Sequence, residues 1–392
     1  MMKNMAWEQI WGLIPSPPDY IIDWNGVMNS PIGAFLSKME GVRQNPVWHG
    51  EGNVKNHTML VANTLVTLSE FKSLPERKQG IVFLAALLHD IGKIPATRLE
   101  DGEWTSPNHS LIGANMAREF LWKEIGLSGD RESISMREAI CLLVRYHMIP
   151  VRLMDEKKPE NRLYKMASSG AQAPDFTMRL LCTLSKADVL GRYADDTRES
   201  AEKVDLCLEF SEEKLCADAP KQFASPNAKR MYFSGKNVWP EADVYDDSWG
   251  EVILLSGLPG TGKDTWIRNH HPDMPVVSLD DIRRQMGVKH ADNQGEVVQA
   301  ANELARKYLR SKTPFIWNAT NLNRMTREKL VKLFESYEAH VHIVYLETEI
   351  GENLRRNESR KAQVPEDVIL KKIAGISIPE DYEARRVSWL GV

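Results

Sequence analysis

The sequence predicts two domains: an all-α domain first, then an α/β domain built on a mainly parallel sheet. Three observations lead there. From Asn53 to about residue 196, apolar residues recur at helical spacing. Beyond Gly250, short apolar runs of strand length alternate with helical segments, the pattern of a parallel sheet covered on both faces. A glycine-rich turn, GLPGTGK, stands directly between the first of those runs and a helix. The expected division is 1–196 for the helical domain, 197–249 for a connector and 250–392 for the α/β domain, and 392 residues suffice for both.

Composition narrows the function classes. The chain is 42% hydrophobic and 27% charged, as in ordinary globular proteins. A net charge of −4 gives no overall basic field, so any contact with nucleic acid must be a local patch or a grip on a strand end. No apolar run approaches the ~18 residues of a membrane span. The N-terminal MMKNMAWEQIWGLIPSPPDY carries Pro and acidic residues where a secretory leader needs an apolar core. Cys141, Cys182, Cys207 and Cys216 lack metal-type spacing, and Cys141 and Cys182 lie in apolar helical patterns as buried thiols. A reducing cytoplasm is therefore the expected location.

Residues 1–50 scatter Trp7, Trp11, Trp24 and Trp48 among prolines, an irregular packed lead-in. In the first clear helix, NVKNHTMLVANTLVTLSEF, His57 shares a face with Leu60, Val61, Leu65 and Leu68 and so points inward. The next, GIVFLAALLHDIGKIP, is apolar around Leu84, Ala85, Leu88 and Ile91, with His89 and Asp90 in its last turn before Gly92 and Pro95 stop it. In TSPNHSLIGANMAREFLWKEIG, Ser106 is the expected N-cap and Pro107 the first helical residue, and His109 shares a face with Gly113, Met116 and Phe120. His147 aligns with Ile140, Leu143 and Val144 just before Pro150, and Asp188 with Leu181 and Leu184.

A lone inward histidine is most often a hydrogen-bonded core residue. Successive helices that each bring an imidazole or carboxylate to an inward face are another matter, because burying so many polar groups without a shared partner is expensive. One or two divalent metals would be that partner. The set resembles that of the HD phosphohydrolase superfamily. By position, His57, His89, Asp90 and Asp188 match its core ligands, and His109 and His147 match the histidines of a second metal. The resemblance implies divalent transition metals (Mn, Ni, Co or similar), a bridging Asp90, hydrolysis at phosphorus, and Lys93 of HDIGK as a contact to the substrate phosphate. The string WHGEGN, Trp48 to Asn53, is similar to the HPEGD segment of HD domains fused to tRNA nucleotidyltransferases, which makes His49 a substrate-side candidate.

Residues 197–216 read as an exposed Glu- and Lys-rich helix, and from Ala217 to Gly250 periodicity is lost among Pro, Gly and Asp. Lys229, Arg230, Tyr232 and Phe233 there are expected to pack ordinarily rather than to hold a strand. Val252 to Leu255 then form the first strand run. Gly257 to Lys263 fit G-x-x-x-x-G-K, a phosphate-binding loop in its proper place. Gly257, Gly260, Thr261 and Gly262 let backbone N–H groups surround a phosphate, and Lys263 supplies charge. Asp264 replaces the usual Ser or Thr, with Thr265 next; a carboxylate beside a triphosphate needs a cation between them, so Asp264 is expected to reach Mg²⁺ directly or through water.

PVVS (Pro275–Ser278), FIWN (Phe315–Asn318) and HVHIVYLE (His340–Glu347) are the further strands, and Asp280 and the Thr320-Asn321 turn fall at their carboxyl ends, where ligands gather. Arg355, Arg356 and Arg360 follow on a helix, read as a lid over phosphates. GLPGTGKDTW, LDDIR, ATNLN and RRNESRKAQVP together resemble the phage-type 5′-hydroxyl polynucleotide kinase. The resemblance implies Asp280 as general base, Arg283 on the acceptor's 3′ phosphate, and Arg360 with Arg356 on the donor nucleotide. Ala319 stands where that family has an Asp.

An HD domain followed by such a kinase resembles the bacterial HD-domain polynucleotide kinases. The implied function is bifunctional end healing: transfer of the γ-phosphate of ATP or another NTP, with Mg²⁺, to 5′-OH ends of RNA or DNA, and removal of 2′,3′-cyclic, 2′- or 3′-phosphates by the HD site. A separate ligase would act downstream, and no membrane partner is expected. The alternatives are a nucleoside or metabolite kinase fused to a nucleotide phosphohydrolase, and an ATP-dependent switch sensing a nucleotide.

Overall fold

The computed structural model describes residues 2–288, 292–359 and 363–392. The chain forms two compact units, residues 1–127 with 132–221, and residues 128–131 with 222–392. The stretch expected as a connector is thus divided between them at residue 221.

The first unit is helical. Its main helices are α1 (Val54–Leu65), α2 (Glu76–Leu88), α3 (His109–Lys123), α4 (Arg131–Tyr146), α5 (Met178–Leu190) and α6 (Thr197–Glu213). α5 packs on α1, α2 and α6 and so lies at the centre. α2 is buried from Gln79 to Leu88, as an element apolar on all sides must be. Asn53 caps α1 by accepting from Asn56 N–H, and Thr177 caps α5 by accepting from Leu180 N–H.

Two local expectations are corrected, and one element is added. His89 is the C-cap of α2, and Asp90 lies in the turn beyond rather than in the last helical turn. α3 starts at His109, after Asn108 in left-handed conformation (φ 57°), not at a Ser106 cap. Ser106 is engaged elsewhere: its hydroxyl shares a 2.8 Å hydrogen bond with Thr97 Oγ1, and its carbonyl accepts from His109 Nδ1. A small antiparallel hairpin, Arg98–Glu100 with Glu103–Thr105, was not anticipated.

The second unit opens with α7 (Pro226–Phe233), capped by Ser225 inside the stretch read as aperiodic. Lys229 pairs with Asp381 at 2.6 Å, and Arg230 forks onto Glu335 at 2.6 and 2.8 Å, so both cations serve packing. The sheet comprises β1 (Glu251–Ser256), β2 (Val276–Ser278), β3 (Phe315–Asn318), β4 (His340–Glu347) and β5 (Arg386–Gly391), in the order β2-β3-β1-β4-β5 and parallel throughout. β5 was missed in the sequence. β1 is central, with Ile253 facing Ile316 on one side and His342 on the other. Ile253, Leu255, Ile267, Ile316, Val344 and Leu346 form a core on one face. The strands are buried nearly end to end, as parallel strands are when both faces are covered.

The helices of this unit are α8 (Lys263–His270), α9 (Leu279–Gln285), α10 (Gly295–Arg310), α11 (Arg324–Glu335), α12 (Ile350–Glu358) and α13 (Glu366–Ala374). Buried Arg327 of α11 forks onto Glu383 at 2.8 Å and donates to the carbonyls of Asn321 and Ser377. That pins the turn after β3, whose Asn321 side chain in turn donates to the Leu255 carbonyl. The carboxyl ends of β1 and β3 are thereby fixed to one another.

Candidate functional sites: a metal centre and a phosphate loop

α1, α5 and the turns around α2, α3 and α4 bring His57, His89, Asp90, His109, His147 and Asp188 into one buried cluster. His57 Nε2 is 2.9 Å from Asp188 Oδ1 and 3.3 Å from His89 Nε2; His89 Nε2 is 3.4 Å from Asp90 Oδ2. On the other side of Asp90, Oδ1 lies 3.5 Å from His109 Nε2 and 3.9 Å from His147 Nε2. Donors held about 2.0–2.2 Å from a shared cation stand roughly 2.8–3.6 Å apart, so the first group fits directly and the second is slightly wide. His57, His89 and Asp90 form one candidate ligand set; Asp90, His109 and His147 form another.

The tautomers point the same way. His89 Nδ1 is 2.7 Å from the carbonyl of Ala86, His109 Nδ1 2.8 Å from that of Ser106, and His147 Nδ1 2.7 Å from that of Val144. Each proton is thus placed on Nδ1, donated to the carbonyl three residues earlier, and each Nε2 lone pair is aimed into the cluster. Burial pushes His147 down to about 3 and lowers His109, which keeps both neutral as ligands must be. Asp90 Oδ1 and His109 Nε2 are buried without a hydrogen bond, and Asp90 Oδ2 has an ion pair but no hydrogen bond, an arrangement that a divalent cation would satisfy.

Glu51 belongs to the centre as well and was not foreseen. Its Oε1 lies 2.8 Å from His49 Nδ1 and 2.9 Å from His57 Nδ1, the latter out of line for a hydrogen bond, and its Oε2 accepts from Tyr193 N–H. Burial alone would raise Glu51, Asp90 and Asp188. The imidazoles around them, and for Asp90 chiefly Lys93, outweigh it and hold all three below the carboxylate range. Burial would likewise lower His57, but Asp188 and Glu51 push it up to about 9, so a cation bound there would have to displace the His57 proton. The pocket therefore concentrates negative charge that favours a cation. Lys93 Nζ sits 2.7 Å from Asp90 Oδ2 and donates to Gln44 Oε1 at 2.8 Å, a second partner that was not foreseen. Close approach of the turn to α3 requires Gly92, where a Cβ would stand 2.0 Å from the His109 carbonyl oxygen.

In the second unit, the loop between β1 and α8 carries Gly257, Gly260, Thr261 and Gly262. A Cβ at Gly257 would meet the Leu346 carbonyl oxygen at 2.4 Å, and Gly262 has φ 82°, so both positions require glycine. Lys263 Nζ folds back on the carbonyls of Gly257 and Leu258 at 3.0 and 2.8 Å. Thr261 donates to the Leu258 carbonyl. Asp264 accepts from Asn318 Nδ2 at 2.7 Å, at the carboxyl end of β3, while the exposed Thr265 accepts from Arg268. Asp280 stands in the first turn of α9 and is paired with Arg283, which also donates to Gln294 at 2.8 Å. Arg356 of α12 reaches the loop, its Nη1 3.3 Å from where a Gly262 Cβ would be, and its Nε donates to Glu352. Arg360 lies outside the described residues. Asn353, likewise unforeseen, donates to the Pro259 carbonyl at 2.8 Å and braces the loop.

Comparison with known proteins fits this geometry. Residues 54–172 match the family model described as HD domain, and residues 252–377 the one described as AAA domain. The chain is an HD domain followed by a P-loop kinase domain. Asp188 and Glu51 fall outside the matched HD stretch and are joined to it by the fold. The chain is similar over part of its length to the heterogeneous nuclear ribonucleoprotein U-like protein 2 of Mus musculus: 30% identity, covering 34% of this chain and 20% of that protein. It is similar as well to the L-seryl-tRNA(Sec) kinase of Methanococcus maripaludis, at 25% identity over 30% of this chain and 49% of that one. The chain thus spans a fifth and about half of these relatives. A solved structure of a Pnkp1/Rnl/Hen1 complex has 18% identity and a TM-score of 0.27, covering 32% of this chain and 43% of that chain. Among the described residues, no helix is long and apolar enough to cross a membrane.

Proposed function

We propose that the chain heals polynucleotide ends: the P-loop domain phosphorylates a 5′-hydroxyl, and the HD domain removes a 2′,3′-cyclic, 2′- or 3′-phosphate. The observation that carries the reading is that one chain holds a phosphate loop, an Asp–Arg pair at the carboxyl end of another strand of the same sheet, and a buried His/Asp cluster whose lone pairs converge on Asp90. Support for a polynucleotide acceptor comes from Arg283, a guanidinium next to the candidate base, and from the likeness to a kinase whose name places its acceptor on tRNA.

In the P-loop domain, Asp280 takes the proton of the attacking hydroxyl and Arg283 turns from it to the acceptor phosphate. Loop N–H groups and Lys263 hold the donor phosphates once Lys263 leaves its carbonyl partners, and Arg356 and Arg360 offset charge on the migrating group. Asp264, kept in place by Asn318, faces the Mg²⁺ of ATP or another NTP. In the HD domain, His57, His89, Asp90 and Asp188 hold one divalent cation, and Asp90, His109 and His147 a second. Such cations supply Lewis-acid charge against a phosphoryl group. Lys93 fixes Asp90 and neutralises a substrate oxygen, and His49 lies at the substrate side. The released end then suits a separate ligase.

Separable losses test this. Asp280→Ala should abolish 5′ phosphorylation and leave phosphate release intact, and Asp90→Ala the reverse, with both ends of one labelled oligonucleotide analysed in ATP, Mg²⁺ and Mn²⁺. Loss of both activities in either variant overturns the two-site reading. Mononucleosides phosphorylated in preference to oligonucleotides would replace it with a small-molecule kinase.

A further inference from the structure

The HD cluster is closed over most of its surface. Its ligands His57, His89, Asp90 and His147 are buried, the side chain of His109 keeps 10% exposure, and those of Asp188 and His49 keep the most, 17% each. The widest access from solvent is therefore on the side of Asp188 and His49. A large exposed aromatic lies close in the chain to each: one residue before His49 and five residues after Asp188. Trp48, 50% exposed, immediately precedes His49; Tyr193, 64% exposed, follows Asp188 just past the end of α5. The two segments are joined. Gly50 N–H donates to the Tyr193 carbonyl at 2.9 Å, a Cβ at Gly50 would touch the Tyr193 Cβ at 3.2 Å, and Tyr193 N–H donates to Glu51 Oε2 at 3.1 Å. The other oxygen of that same buried carboxylate lies against His49 and His57. One carboxylate thus fixes an exposed aromatic segment and a buried ligand imidazole relative to each other.

A single exposed aromatic is ordinary on a protein surface, as Trp239 and Tyr245 are here, but two on segments tied to each other and to a carboxylate of the cluster make a candidate contact patch. A ring beside a phosphate-cleaving centre has a chemical use when the substrate carries a π-face close to its phosphate. A nucleotide end does: the base lies one sugar away from a 2′- or 3′-phosphate. We propose that Trp48 and Tyr193 form a stacking platform for the terminal nucleobase of the strand whose phosphate enters the HD cluster. This rests on the phosphoesterase reading and gives it a substrate class, a single-stranded end with its last base unpaired. Stacking tolerates any base, so the platform selects nucleotide ends over plain phosphoesters without selecting sequence.

The test uses the full Mn²⁺-loaded chain and a 5′-phosphorylated oligonucleotide bearing a 3′-phosphate, its last nucleoside either intact or abasic. The 5′-phosphate leaves the P-loop domain no acceptor hydroxyl. For the wild type, KM for the intact end should be about tenfold lower than for the abasic end, with kcat alike. Trp48→Ala and Tyr193→Ala should each bring the intact end toward the abasic value, while Trp48→Phe and Tyr193→Phe keep most of the preference. No base preference in the wild type, or a preference that survives both Ala variants, overturns the platform. The same ends are titrated by fluorescence anisotropy without turnover. If no end is hydrolysed, the phosphoesterase reading falls. Base-dependent affinity lost in the Ala variants then still supports the platform, and affinity unchanged in them sinks it.

Discussion

Glu51 has no hydrolytic duty of its own, yet the geometry around His57 turns on it. The other cluster histidines orient through the backbone carbonyl three residues earlier, at Nδ1. His57 has a carboxylate there instead, 2.9 Å away. Though out of line for a hydrogen bond, a carboxylate charge this close behind a ligand imidazole raises its basicity. Glu51→Gln should therefore weaken Mn²⁺ binding by about 10- to 100-fold, read by isothermal titration at constant pH; an unchanged affinity would mean that Glu51 is packing only. Gly92 makes a different point at the same scale. Its φ of −68° suits any residue, so glycine is required by space: a Cβ would overlap the His109 carbonyl oxygen and the Gly113 nitrogen. Gly92→Ala should cost about 1–3 kcal/mol of stability in urea unfolding and lower Mn²⁺ affinity with it, because relief comes only by moving the His109 helix away from Asp90. Loss of stability with metal affinity retained would show that the turn gives way elsewhere.

At the level of elements, α3 and α4 are joined by a buried ion cluster. Arg118 forks onto Glu138 at 2.8–3.0 Å, Arg137 donates to the same carboxylate at 2.9 Å and to the Leu127 carbonyl, and its guanidinium lies 4.1 Å from the Trp122 ring centre. Burial raises Glu138, but the two guanidinium groups outweigh it and leave the carboxyl below its ordinary range. A carboxyl depressed on folding adds stability above its unfolded value, near 4.3, and that contribution fades as pH falls toward the folded value. Glu138→Gln strands two buried cations and should cost about 3–5 kcal/mol at pH 7. The gap from wild type should narrow below about pH 4, followed by urea unfolding against pH; a gap that stays constant with pH would deny the carboxylate this role. The helices carrying His57, His109, His147 and Asp188 could be read from the sequence because each polar residue sits on an apolar face of regular period. Glu51 and Gln44 could not, since they come from aperiodic chain whose placing is set by tertiary contacts such as the Arg43–Asn53 bridge and the Gly50–Tyr193 hydrogen bond. β5 escaped for a related reason: RVSWLG has one short alternation and no flanking glycine or proline turn to mark it, and it becomes a strand by pairing with β4. The Ser106 cap failed because a tertiary contact to Thr97 and the ligand histidine both claimed that residue.

For the whole molecule, the two compact units each carry a distinct ligand chemistry, so ligands should report on the units separately. A ligand that binds only the folded form stabilises it by about 2.7 kcal/mol at a hundred times its Kd. For a unit of this size, that is an upward shift of roughly 5–10 °C. In differential scanning calorimetry, Mn²⁺ should raise the transition of the HD domain and leave that of the P-loop domain in place. ATP with Mg²⁺ should do the opposite. Asp90→Ala should cancel the first shift only, since it removes the carboxylate shared by both ligand groups, and Lys263→Ala the second only, since it removes the cation from the phosphate loop. If Asp90→Ala also erased the response to ATP, the two chemistries would be thermodynamically linked, and the separable losses expected of the single variants would have to give way to a coupled cycle in which one end is processed only after the other is bound.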